Sequence, residues 1–327
     1  MLPELCYEFL PLAEVEFLKR EMTQEKKPKK IVLVNKKISW MRFKWLYFLI
    51  SALVIIPGIY SLLRWGLKPS IDFTGGTLLE IKSEELTIKD LEKTVNDFLG
   101  EKTKSIQATN NQTFLLRFSE LKEEEKEKLL TRLEKKYGEV TIIRWETLGP
   151  TLGKELLFKT LMGIVLATLA ILFYINSRFK NKSFGICAVL AMLHDTLIML
   201  GSYSLLGHFW GAEADSLFVT AVLTILSFSV HDTVVVYDRI RELSRINPKW
   251  KLEKVANLAI SQTLARSINN SLTIIFMLVA LVWLGGETTR WFATALLIGT
   301  IAGTYSSTFT ATPLLVVWHS IAARWRR

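Results

Sequence analysis

Apolar residues in this chain gather into long runs rather than short alternating ones, and those runs set the first expectation. Six of them, at about 45–63, 156–175, 184–206, 216–237, 267–284 and 291–317, each come near the roughly 20 residues that a helix needs to cross a bilayer. They predict six membrane-crossing helices. Between the first two runs lies a polar stretch, about Leu67 to Lys154, where the pattern shortens. Ser70 to Lys82 reads as a strand around a Gly75-Gly76 break, and Thr87 to Leu99 has helical spacing through Leu91, Val95 and Phe98. Lys104 to Ala108 and Thr113 to Phe118 are short strands joined by Asn110-Asn111, a hairpin-like pair. Ser119 to Tyr137 is a second helix, apolar at Leu121, Leu129, Leu130 and Leu133, and Val140 to Trp145 a last strand.

The order β-α-β-β-α-β predicts a ferredoxin-like α+β sandwich, and some 80 residues suffice for one modest core. The expected fold is therefore an α-helical polytopic membrane protein with one small domain outside the cytoplasm. Its parts are a tail at 1–44, a first transmembrane helix at 45–63, the ferredoxin-like domain at 64–155, transmembrane helices 2–6 within 156–317 and a second tail at 318–327. The tail at 1–44 allows a short amphipathic helix through Leu2, Leu5, Phe9 and Leu12, or equally a disordered or loosely docked extension. Its opening residues have acids where a signal peptide has bases, so no cleavage is expected.

Composition sharpens this picture. The 327 residues carry a formal net charge of +10 and a mean hydropathy of +0.27, which excludes an ordinary soluble domain. The basic excess does not point to nucleic acid, because it falls between apolar runs and makes no basic-aromatic groove pattern. Arg178, Lys180 and Lys182 follow the second run, while Arg239, Arg241, Arg245, Lys249, Lys251 and Lys254 follow the fourth. Glu213 and Asp215 lie in a loop without Lys or Arg, and Arg324, Arg326 and Arg327 close the chain. The bias toward positive cytoplasmic loops then places both termini in the cytoplasm. Cys6 and Cys187 form neither a disulfide framework nor a metal site, and no cofactor is expected.

Candidate chemistry lies in the membrane half. The run from Leu217 to Glu242 carries His231 and Asp232 before Asp238, Arg239 and Arg241 mark water. An ionisable group inside a membrane helix is costly and is read first as functional, although a helix end stopping early would place the pair at the interface. His194 and Asp195 lie about 16 Å into the third crossing at 1.5 Å per residue. Arg266, Asn269, Asn270 and Thr273 share one face of the fifth. In the sixth, Thr300, Thr304, Thr308 and Thr312 repeat every fourth residue, and Gly299, Gly303 and Ser307 form a small-residue face suited to packing. Burial and a nearby guanidinium act in opposite senses on a carboxyl, so two carboxylates and an arginine in one bundle can make a proton relay. Static pairing that fixes helix register is the alternative. Each histidine is equally a relay group or a structural partner of its aspartate. The external stretch has no histidine and no enzyme constellation, so no enzyme activity is expected.

Several of these segments carry a family likeness. IDFTGGTLLEI at 71–81, ETLGPTLGKEL at 146–156, LHDT at 193–196, VHDTVVVYDRIRE at 230–242, QTLARSI at 262–268 and GGETTRWFATALLIGTIAGTYSS at 285–307 resemble the SecF family. SecF proteins are export subunits of the SecDF complex and belong to the RND superfamily. The resemblance implies half of an RND-type bundle in the bacterial cytoplasmic (inner) membrane, working with a SecD-like subunit, the SecYEG channel, a YajC-like protein and a translocating polypeptide. It implies use of the proton-motive force to help complete translocation. Asp232 matches the family's intramembrane aspartate and Arg266 its arginine near the start of the fifth helix, both implicated in proton coupling; Asp195 matches an aspartate of the third. Asp72, Gly75 and Gly76, and Asp238, Arg239 and Arg241, fall in the family motifs. His231 stands where the family usually has Asn. An RND-like exporter of lipids or small molecules and a passive scaffold of the Sec complex are the rival readings.

Overall fold

The computed structural model describes residues 39–109, 112–179 and 181–325. The expectations for the first tail up to residue 38, for Asn110-Asn111, for Lys180 and for Arg326 and Arg327 lie outside the described residues. A 3-10 turn at Trp40–Phe43 leads into α1, Lys44–Arg64. The domain between the first two long helices, external to the helix bundle, consists of β1 (Gly76–Lys82), α2 (Ile88–Leu99), β2 (Thr103–Thr109), β3 (Thr113–Phe118), α3 (Glu123–Tyr137) and β4 (Thr141–Leu148). The long helices follow: α4 (Pro150–Arg178), α5 (Lys182–Trp210), α6 (Ser216–Ile246) and α7 (Leu252–Leu284). Last comes α8 (Glu287–Ser306), a π-helical turn at Ser307–Ala311 and α9 (Thr312–Trp325).

Among the described residues five helices are long and apolar enough to cross a membrane: Trp40–Arg64, α4, α5, α6 and α7. This is a membrane protein, mostly helical. Over their most apolar windows α5 and α6 are half buried inside the chain, whereas α4 is not buried there at all, so α5 and α6 form the centre. Close approach at that centre depends on missing side chains. Gly58 of α1 faces Gly201 of α5, and a Cβ on Gly201 would stand 2.5 Å from the Gly58 Cα. Beside them Ser61 and Ser204 share a hydrogen bond of 2.7 Å, and Ser204 also donates to the Gly66 carbonyl at 2.6 Å. In the same way Gly299 lets α8 lie on Ile225 of α6.

The external sheet is antiparallel throughout, in the order β2-β3-β1-β4. Leu91 and Val95 of α2 and Leu129 and Leu133 of α3 pack onto Leu79, Ile81, Leu116 and Phe118, all fully buried. One expectation changes here. Ser70 to Lys82 is not one strand: Ile71–Thr74 forms a helical turn, because Ser70 accepts a hydrogen bond from the Asp72 amide and caps it. Gly75 ends the turn at φ +67, and β1 begins only at Gly76. A Cβ on Gly75 would stand 2.6 Å from the Pro150 Cα, and one on Gly153 would stand 2.8 Å from the Gly75 amide. The glycine pair thus seats the start of β1 against the first turn of α4.

Gly76 has φ +127 and no room, since a Cβ would lie 2.4 Å from the Phe118 carbonyl oxygen of β3. Gly66, at φ +70, has nothing within 4 Å of such an atom. Gly66→Ala should cost about 1 kcal/mol of backbone strain, whereas Gly76→Ala adds a backbone clash and should open the external domain to protease. Equal protease resistance of the two variants would contradict this account.

Candidate functional site

Among the described residues two buried carboxylates, Asp195 and Asp232, lie in the long helices, and their surroundings differ. Asp195 on α5 is fully buried. Its Oδ2 accepts from Ser229 Oγ of α6 and from Ser306 Oγ of α8, both at 2.6 Å. Its Oδ1 lies 2.8 Å from His194 Nδ1, and the other ring nitrogen of His194 is buried without a hydrogen-bond partner among the described residues. Three helices therefore meet on one carboxylate. Gly303 lies beside them, its Cβ position 3.7 Å from Asp195 Oδ2 and 3.6 Å from the Ser229 Cα, which is ordinary contact distance. The π turn begins one residue after Ser306, and one of its carbonyls, that of Ala311, accepts from Tyr237 Oη of α6 at 2.8 Å.

Asp232 lies on α6, only 3 % exposed. Ser267 Oγ of α7 donates to its Oδ2 at 3.4 Å, and His231 Nδ1 lies 3.8 Å from Oδ1. Ser271, a turn further along α7, accepts at 2.7 Å from Thr304 of α8. His231 itself is turned outward, with 70 % of its side chain exposed, because neighbouring residues on a helix point about 100° apart. The same geometry separates Arg266 from Asp232. Ser267 occupies the inward position of α7, so Arg266 is exposed and makes no ion pair with Asp232. Asn269, Asn270 and Thr273 are exposed with it. The four residues do share a face, and that face looks away from this chain's own bundle.

The remaining motif residues act at the two ends of α6. Toward its C-terminal end Asp238 pairs with Arg178 of α4 and, at 3.4 Å, with Arg241. Arg239 donates to Gln262 of α7 at 2.7 Å and pairs with Glu242. At its N-terminal end Asp72 Oδ2 accepts from the Ser216 amide at 2.9 Å and from Ser216 Oγ at 2.7 Å. Asp215 caps the same helix through the Phe218 amide at 2.7 Å.

Beside that cap the external sheet meets the α5–α6 loop across a cleft of about 880 Å³. Arg117 of β3 pairs with Glu213 of the loop, Nε to Oε2 at 2.7 Å, and Lys68 reaches the other oxygen at 3.2 Å. Arg117 Nη1 also donates to Ser105 at 3.3 Å and to Gln107 at 3.2 Å, both on β2. Burial lowers the Arg117 pKa, and Glu213 opposes that shift. The serine cage of Asp195 and the Arg117–Glu213 pair were not anticipated from sequence. A serine every few residues in an apolar run is a weak signal, although Ser229, Ser267 and Ser306 each sit close to a helix position already singled out.

Comparison with known proteins now decides the family. Residues 128–321 match the family described as Protein export membrane protein SecD/SecF, C-terminal, and residues 61–85 match the SecD/SecF GG Motif. The chain belongs to the SecD/SecF family. It is 41 % identical over 300 residues to the protein translocase subunit SecF of Thermobaculum terrenum, covering 86 % of this chain and 94 % of that one. It is 35 % identical over 260 residues to the protein translocase subunit SecDF of Thermus thermophilus, covering 77 % of this chain but 35 % of that one. Among solved structures it resembles SecDF of Thermus thermophilus with a TM-score of 0.79 at 30 % identity, covering 93 % of this chain and 41 % of that chain. A SecDF in a form termed super-membrane-facing gives 0.64 at 31 % identity, covering 94 % and 42 %. The chain thus spans about two fifths of the SecDF chains and nearly the full length of the SecF relatives.

Two predictions follow from the geometry. Ser306→Ala or Ser229→Ala removes a donor from a fully buried carboxylate and should lower stability by about 2 kcal/mol in thermal unfolding in detergent. Ser320→Ala, whose hydroxyl bonds only to its own helix, should change it by less than about 0.5 kcal/mol; equal effects would refute the cage. Burial, with the Asp72 carboxylate adding to it, holds the Asp215 carboxyl above its ordinary range. A raised carboxyl stabilises the folded state in acid, and that contribution fades as pH rises through the unfolded and then the folded value. Asp215→Asn, which still caps α6, should therefore raise Tm at pH 7, and the gain should vanish below about pH 3.9. A gain that grows toward acid would reverse the assignment.

Proposed function

We propose that this chain is a SecF-type subunit of a translocase, coupling proton flow to movement of its external domain during export of polypeptides across the bacterial cytoplasmic membrane. The observation that carries the proposal is Asp232, a carboxylate inside the helix bundle whose polar partners among the described residues are Ser267 and the His231 imidazole. A group so weakly satisfied is suited to change its charge, and each proton moving through 100 mV of membrane potential supplies about 2.3 kcal/mol. Asp195, caged by two hydroxyls and His194, is the better-held member of the pair and sets the register of α5, α6 and α8. Motion is the proposed output, and no bond chemistry is assigned.

Membership in the family and the fused SecDF relatives support a SecD-like partner. So does the exposure of His231, Arg266, Asn269 and Asn270 at positions that would otherwise face lipid, where polar groups are expensive. In this proposal the partner's half-bundle covers that face and brings Arg266 within the field of the coupling carboxylates. The SecYEG channel, a YajC-like protein and the exported polypeptide complete the assembly. We assign the run α8–π–α9 as the sixth crossing, both termini to the cytoplasm, and the βαββαβ unit with its β2-β3-β1-β4 order to the ferredoxin-like class.

Replacing Asp232 by Asn tests the proposal in membranes that also contain the SecD-type partner and the channel. The expected result is loss of the proton-gradient-dependent part of export while the complex still copurifies. Normal gradient-dependent export in the variant would sink the proposal in favour of a scaffold.

A further inference from the structure

We infer that the α5–α6 loop is the element that carries displacement of α6 to the external sheet, with Arg117 and Glu213 as the positioning pair and Asp72 holding the first turn of α6. The inference rests on the coupling role proposed above and names how the output leaves the membrane half.

Among the described residues three connections matter for the motion of this domain; the helical turn before β1 also packs on the first turn of α4, on the same side as the covalent tethers. Two are covalent: Trp65 to Ser70, leading through the helical turn into β1, and Gly149-Pro150, leading from β4 into α4. Both leave from β1 and β4, at one side of the β2-β3-β1-β4 sheet. A body held only there is free to turn about the line joining its two tethers. The third connection is non-covalent and lies toward the other side, where Arg117 on β3 and Gln107 on β2 meet the α5–α6 loop. The loop is pinned from a second direction as well: the Ala214 amide donates to the Lys68 carbonyl at 2.7 Å, and the Ser70 amide donates to the Ala214 carbonyl at 2.9 Å.

What the loop holds is α6. That helix runs from Ser216 to Ile246 with neither glycine nor proline inside it, so the commonest causes of a sharp kink are absent between Asp232 and its capped start. Sixteen residues separate Asp232 from Ser216, about 24 Å at the helical rise. A shift of α6 set off at Asp232 therefore reaches Ser216, Asp72 and Glu213 almost undiminished. The buried Arg117–Glu213 pair then passes it to β3. An ion pair suits this task, since its hydrogen-bond geometry is directional and resists sliding, whereas an apolar contact resists separation but is non-directional.

The test uses the full chain with its SecD-type partner in proteoliposomes. Spin labels are placed on Lys128→Cys, exposed on α3, and Leu284→Cys, exposed at the end of α7, after removal of Cys6 and Cys187. In the parent protein the label distance should shift when a proton gradient is imposed. In Arg117→Met the distribution should broaden and lose that shift, and gradient-dependent export should fall to the gradient-independent level. Arg117→Lys, which keeps the charge, should restore part of both. If Arg117→Met does not copurify with the partner, Glu213→Gln replaces it, keeping side-chain size, with the same expected results. A gradient-induced shift of normal size in the charge-removing variant overturns the inference while leaving the coupling role intact. Absence of any shift or gradient-dependent export in the parent protein, or their retention in Asp232→Asn, overturns both.

Discussion

A carboxylate enclosed by apolar helices must be given hydrogen-bond donors by its neighbours, and much of the membrane half is arranged around that requirement. Taking such a group out of water costs several kcal/mol unless it is paired or hydrogen-bonded. Asp195 meets the cost with hydroxyls: Ser229 from α6 and Ser306 from α8 share one oxygen, and His194 takes the other. No Lys or Arg pairs with it among the described residues. Each donor comes from a helix that has to approach closely, and Gly299 gives α8 room against Ile225 of α6. The carboxylate and the helix crossing are consequences of one another.

The helix α6 ties the other features together. At its start Asp72 and Asp215 satisfy amides that no helix can satisfy for itself. In its middle it supplies Ser229 to Asp195 and carries Asp232 toward Ser267 of α7. Near its end Asp238 and Arg239 join it to α4 and α7. A single rigid rod is thus fastened at both ends and polar in between. The unevenness of the two aspartates matters: one is held by close hydroxyl contacts on three helices, the other by one long contact to Ser267 and an imidazole that faces outward. The π turn after Ser306 adds a place where the last helical run departs from regular winding, and its Ala311 carbonyl is taken up by Tyr237 of α6.

Much of this was legible from residue order. Hydrophobic runs of membrane length, charge between them, and the spacing of apolar residues in α2 and α3 follow from local physics: a helix needs some 20 apolar residues to cross, and one face to bury. The intramembrane aspartates were visible as charges in apolar runs. Ser70 to Thr74 was not legible as a helical turn, because the cap that creates it competes with a β-like pattern on equal terms. Nor were the serine donors, which look like ordinary small residues until three helices converge on Asp195.

Sequence alone determined which segments are apolar enough to cross a membrane and which residues in them are costly there, because hydropathy and periodicity are properties of neighbours along the chain. Only the tertiary structure decided which of those residues face each other. It turned Ser267 rather than Arg266 toward Asp232, sent His231 outward, and brought Arg117 against Glu213 across nearly a hundred positions. The physical reason is rotational: one residue along a helix changes direction by about 100°, and which direction is inward is set by packing with helices distant in the chain.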